Sequence, residues 1–342
     1  MDPVDPSGPD RAATTETPAG SLPRGPHATI GPDTVTMPRW PGQLLTIGGG
    51  LVAVAGLVAG TMAAAGSLEG VDPASMAWLA LAGAVVFSAG LVYLGIRQIR
   101  IRRFLPPERY RGPSVLVLVG LVLVVAAVLT APFAEDAAAL VLGEGELTLL
   151  GALVLLTATQ VGLLLVSWLF VFRPNALAGL PSLPGRDPGA AIRAGLAWGV
   201  VAWIGASLIS YAVFALFEAL GLDPEPQAAE RALTLIDPWL AVLAIVILAP
   251  IAEELFFRGV IFNVFLREGG RRWAFIGSSA LFAIIHLSLV ALIPIFVLGL
   301  ALAWVYERTG NLLAPITMHM VVNGASVLFA LLLRFEVIRP PV

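Results

Sequence analysis

Hydrophobic residues fall in runs of about twenty from Leu44 nearly to the end of the chain, and polar residues gather in short connections between them. Runs of that length predict helices that cross a bilayer. The pattern marks nine apolar spans: 44–65, 75–96, 114–133, 147–171, 191–220, 238–265, 273–289, 291–306 and 312–333. The seventh and eighth are short and meet near Ser288 and Pro294, so they form either a tight helical hairpin or one broken re-entrant element, and eight full spans also fit. The expected fold class is all-α, a polytopic transmembrane helical bundle of eight or nine spans.

Composition narrows the picture. Of 342 residues 58% are hydrophobic and 13% charged, against about 45–50% apolar and about 25% charged in a soluble domain, which excludes a soluble enzyme. A net charge of -3 offers no basic surface for nucleic acid. The chain has no cysteine, so a disulfide framework, a thiolate metal site and a cysteine nucleophile are all excluded. Every basic residue is arginine, and alanine, glycine, leucine and valine dominate, a usage expected of a GC-rich bacterial host.

Residues 1–41 are rich in proline, glycine, threonine and aspartate, lack any apolar period, and read as a disordered tail that is retained, with His27 inert. Residues 42–190 read as scaffold helices, 191–237 as a flanking helix and loop, and 238–333 as a core in which the buried polar residues collect. No inverted repeat of the transporter kind is visible. Arginines crowd alternate connections: Arg97 to Arg111, then Arg173 and Arg186, then Arg267, Arg271 and Arg272. The intervening connections are acidic, so the arginine-rich side and the N-terminal tail are expected in the cytoplasm of a cell-membrane protein.

Ionisable side chains inside a span cost roughly 2.5–3.5 kcal/mol each on insertion scales, so each calls for a partner or a function. Glu253, Glu254 and Arg258 lie in one such span, just after Pro250, whose missing N–H predicts a kink. Glu254 and Arg258 are spaced i, i+4 on one face and are expected to pair, which leaves Glu253 free on another. Apart from His27 the only histidines are His286 and His319, both in spans, and Asn323 shares a face with His319. At about 1.5 Å per residue these groups fall at similar depths, so all can line one cavity. A carboxylate, two imidazoles and an amide are the parts needed to activate water against a peptide carbonyl. The carboxylate takes a proton, one histidine holds the water or a metal that does, and the other, with Asn323, donates to the oxyanion. The same residue types also suit a proton-coupled transporter, and a non-catalytic immunity or scaffold protein could keep them for folding alone.

Glu253-Glu254-x-x-x-Arg258, Phe282-x-x-x-His286 and His319-x-x-x-Asn323, in this order, resemble the three motifs of the CAAX prenyl protease and bacteriocin-processing (CPBP, Abi-type) family of intramembrane proteases. Phe296-x-x-Gly299 and the stretch Tyr306 to Leu312 resemble that family's approach to its last histidine, and the likeness covers about residues 238–333. The resemblance implies a helical membrane endopeptidase with Glu253 as catalytic carboxylate, supported by Glu254 and Arg258. It further implies that His286 acts with Glu253 on the water and that His319 and Asn323 stabilise the oxyanion. Family naming suggests zinc, for which Glu253, His286 and His319 would be the ligands, a sparse set that leaves a metal-free route open. The implied partners are the lipid bilayer and a membrane-embedded or lipophilic peptide or protein substrate. Eukaryotic members of the family cut three residues from prenylated proteins, whereas bacterial ones are linked to peptide maturation, bacteriocin immunity and regulated cleavage.

Overall fold

The computed structural model describes residues 37–64, 68, 70–137, 147–177, 187–221, 238–286, 288–335 and 337. The expectations for the tail before residue 37, His27 included, and for most of the acidic connections lie outside these residues.

Among the described residues the chain forms nine helices and no strand. They are α1 (Arg39–Ala64), α2 (Pro73–Arg102), α3 (Val115–Thr130), α4 (Leu149–Ser167, extended by a π-helical turn Trp168–Phe172), α5 (Pro188–Ala219), α6 (Pro238–Gly269), α7 (Arg271–Ile284), α8 (Leu289–Thr309) and α9 (Leu313–Arg334). All except α7 are long and apolar enough to cross a membrane. The protein is thus a polytopic helical membrane protein with eight candidate spans. Helix α7 holds 14 residues, about 21 Å, short of a hydrocarbon core of about 30 Å. The seventh apolar run is therefore a short helix that packs against α8 and does not reach the length of a span, which leaves eight candidate spans, a count its sequence allowed. Two boundaries also shift: α1 begins at Arg39, inside the segment read as tail, and α5 begins at Pro188, three residues before its expected span.

Close packing explains several of the glycines. The α1–α2 hairpin brings Gly49 against the backbone of Phe87, Gly83 against Ala53 and Gly56 against Ala80, so that a Cβ at any of these would overlap main-chain atoms. Gly195 and Gly199 seat α5 on α9 in the same way, against Ala314, Thr317, Met318 and Val321. Between apolar helices in lipid there is no hydrophobic driving force, so this van der Waals contact is what holds them. At Gly270 conformation decides instead: φ 82° with ψ -179° belongs to a region only glycine enters readily, and it turns the chain from α6 into α7.

The largest apolar cluster among the described residues joins the N-terminal helices to the C-terminal ones, running from Leu91 and Leu118 through Leu163 and Val171 to Phe256, Val260, Phe282, Leu302 and Met318. At the arginine-rich end the α2–α3 connection docks on the end of α6: Arg102 pairs with Glu268 at 3.1 Å and its guanidinium lies 5.6 Å from the Tyr110 ring. Burial drives the Tyr110 phenol pKa far above its ordinary range, so it stays protonated.

Candidate active site

Helix α6 is irregular where it matters. Residues Val242–Leu248 are π-helical, Ala249–Glu254 return to α geometry, and Leu255–Phe262 are π-helical again. Pro250 removes a donor from the ladder between the two π segments. Such wide turns gather at functional sites because the extra residue redirects side chains that a regular helix would send elsewhere. Here Glu253, Glu254 and Arg258 all point into the protein, at 8%, 0% and 0% exposure.

The two neighbouring glutamates have different surroundings. Glu254 Oε1 accepts from Arg258 Nη1 at 2.8 Å and faces His319 Nδ1 at 3.0 Å. Arg258 also donates from Nη2 to the Gly299 carbonyl at 3.0 Å, and its guanidinium sits 4.6 Å over the Phe282 ring. This guanidinium is fully enclosed, and its charge is met by a carboxylate, a carbonyl and a π face. Glu253 makes no hydrogen bond among the described residues; its nearest charged-group contact is Oε2 to His319 Nε2, at 3.9 Å.

The histidines are fixed by their Nδ1 atoms. His286 Nδ1 lies 2.7 Å from the Phe282 carbonyl, which can only accept, so Nδ1 carries the proton and Nε2 holds the lone pair of the neutral ring. His319 Nδ1 faces the carboxylate that Arg258 already pairs, so Nδ1 is the donor there too and Nε2 turns toward Glu253. Phe282 gathers the set: its ring meets His286 edge-on at 5.0 Å and His319 at 5.7 Å. In the sequence Phe282 was only the first position of a motif; in the structure it touches Arg258 and both imidazoles.

Asn323 stands apart from the others. Its Nδ2 donates to the Ile245 carbonyl at 2.9 Å, two turns before Glu253 on α6, so one of its two amide protons is committed to backbone. Sequence reasoning passed over Asn263, whose amide donates to the carbonyls of Arg258 and Gly259 and to the Tyr306 hydroxyl, tying the second π segment to α8. A polar residue in an apolar span was the available signal.

A catalytic zinc keeps three protein ligands. Among the described residues no group of three or more His, Asp or Glu is placed to hold a metal ion. Glu253 and His319 Nε2 approach each other, but His286 does not complete a set with them, so the donors as arranged do not fit a three-ligand zinc site.

Residues 235–325 match the family described as "Type II CAAX prenyl endopeptidase Rce1-like", a range that holds every residue of this site. Three curated relatives are similar over part of the chain. An Escherichia coli "Uncharacterized 24.3 kDa protein" is 36% identical over 140 residues, 38% of this chain and 64% of that protein. The Bacillus subtilis "Putative membrane peptidase YdiL" is 29% identical over 135 residues, 39% of this chain and 51% of that protein. A Lactococcus lactis "UPF0177 protein YxdF" is 35% identical over 78 residues, 22% of this chain and 42% of that protein. The chain thus spans less than two thirds of the length of each. No solved structure gives a significant match.

Proposed function

Starting from an Rce1-like domain in the C-terminal region of the chain, we propose that the protein is an intramembrane endopeptidase that hydrolyses a peptide bond in a membrane-embedded or lipophilic peptide. The observation that carries this reading is the division between adjacent carboxylates. Glu254 Oε1 is held by both Arg258 and His319, whereas Glu253, beside it in the same apolar span, makes no hydrogen bond among the described residues and meets only His319 Nε2, at 3.9 Å. A buried carboxylate without a hydrogen bond is costly, and general-base work on water is a reason to keep one.

In this mechanism Glu253 takes the proton of the attacking water, and His286 Nε2, whose lone pair is set by the Phe282 carbonyl, orients it. His319 supports the tetrahedral oxyanion. Its Nε2 donates only when the ring carries both protons, a form for which Glu254 is the counter-ion. Glu253 later returns its proton to the leaving amine. No step is routed through a metal.

The arginine distribution supports a cytoplasmic N-terminus in a bacterial cell membrane. The test compares newly exposed N-termini of membrane proteins in cells carrying the parent, Glu253→Gln or His286→Ala. Termini made by the parent and missing with both variants are expected; the same set in all three overturns the proposal. Elemental mass spectrometry of the purified protein tests the metal-free route, which one zinc per chain, lost in His286→Ala, would contradict.

A further inference from the structure

His319 and Asn323 lie one turn apart on α9, and both reach α6, on opposite sides of Pro250: His319 to Glu254 and Asn323 to Ile245. In a π-helical stretch the carbonyl of residue i meets the N–H of residue i+5. For Ile245, in the segment Val242–Leu248, that partner would be residue 250, which is proline and has no N–H. The Ile245 carbonyl thereby lacks its π-type donor, inside an apolar span where no lipid group can supply one. The Asn323 amide arrives at this carbonyl, at 2.9 Å.

We propose that Asn323 is a positioning residue: its side-chain N–H replaces the one Pro250 lacks, and together with His319 it splints α6 across the break so that Glu253 is held toward the site. The claim about Glu253 rests on the hydrolytic reading above; the claim about Ile245 does not. An asparagine serving only as an oxyanion donor would have no reason to spend a proton on a carbonyl two turns from the carboxylate, and none to choose the carbonyl orphaned by the proline. The bracket also explains why a helix interrupted by proline and two π segments can carry three ionisable residues in a fixed arrangement.

The test uses the full chain in detergent micelles and four forms: parent, Asn323→Ala, Pro250→Ala and the double variant. Two readouts need no substrate: the thermal midpoint, and the infrared carboxyl band of Glu253, assigned by its loss in Glu253→Gln. Asn323→Ala is expected to melt several degrees below the parent and to shift the Glu253 band. Pro250→Ala restores an N–H at residue 250, so in the double variant the midpoint and the band are expected to return most of the way. An Asn323→Ala protein that melts with the parent, or a defect that Pro250→Ala does not relieve, overturns the proposal. Should Pro250→Ala fail to fold, the parent alone decides: bilayer samples with 13C-carbonyl isoleucine and 15N-amide asparagine should show a dipolar contact between Ile245 and Asn323, and its absence refutes the bond. Because neither readout involves cleavage, failure here is distinct from failure of the protease reading.

Discussion

The N-terminal helices α1–α4 and the C-terminal helices α6–α9 both bury polar side chains, but the second set also uses them to tie one helix to another. In the first group the buried polar residues are Asp136 and Ser167, and each serves nearby backbone: Asp136 accepts from the Thr148 N–H at the start of α4, and Ser167 donates to the Leu163 carbonyl one turn back. In the second group Ser278 likewise donates one turn back, to the Ala274 carbonyl, but Glu254, Arg258 and His319, with the half-buried Asn263 and Asn323, bond from one helix to another, or within α6 across its irregular turns. Van der Waals contact through glycine suffices to assemble a helical hairpin in lipid, as α1–α2 shows. Interhelical polar bonds at membrane depth fix side chains in a stated geometry, which packing alone does not require.

The sharpest way to break that contrast is to remove one partner of the buried pair. Arg258→Met leaves Glu254 enclosed with a charge and only His319 to meet it, and is expected to cost about 3–5 kcal/mol or to prevent folding, measured by chemical unfolding in mixed micelles. A smaller effect is expected in the scaffold. Gly83→Leu forces a side chain onto the Ala53 backbone and should cost about 1–3 kcal/mol by the same assay, while leaving cleavage by the folded fraction unchanged. The smallest belongs to the surface: Arg271 meets Glu307 at 2.7 and 2.8 Å where water competes, and Arg271→Ala should leave the melting midpoint unaltered.

Much of this architecture was legible beforehand, for physical reasons that also mark where reading stopped. Span positions follow from hydropathy, because lipid demands long apolar helices with their backbone satisfied internally. The Glu254–Arg258 pair follows from helix spacing, and its distance is 2.8 Å. The shortness of the seventh run, and with it a count of eight spans, was legible; where the helix stops was less so, since the apolar run continues through Ile285 and Leu287 while the helix ends at Ile284. Nor were the π segments of α6: Pro250 announced a break, but hydropathy carries no register, and the register decides that Ile245 needs Asn323. Sharing a face with His319 suggests Asn323 as a donor to the oxyanion, but helix spacing is silent on which acceptor its amide meets first, and in the structure that acceptor is the Ile245 carbonyl. The distance between the His319 ring and both glutamates, which makes Glu254 its partner and leaves Glu253 open, is a tertiary fact with no local signal.

The central claim is that two adjacent carboxylates divide the labour, Glu254 holding the site together and Glu253 doing the chemistry. The most direct test sets Glu253→Gln beside Glu254→Gln, with thermal midpoint and appearance of new membrane-protein N-termini measured on the same preparations. The account predicts that Glu253→Gln melts with the parent and generates none of the parent's termini, while Glu254→Gln melts well below it because the Arg258 charge is left buried without a counter-ion. Cleavage that persists in Glu253→Gln, or a fold that depends on Glu253 as heavily as on Glu254, would contradict it.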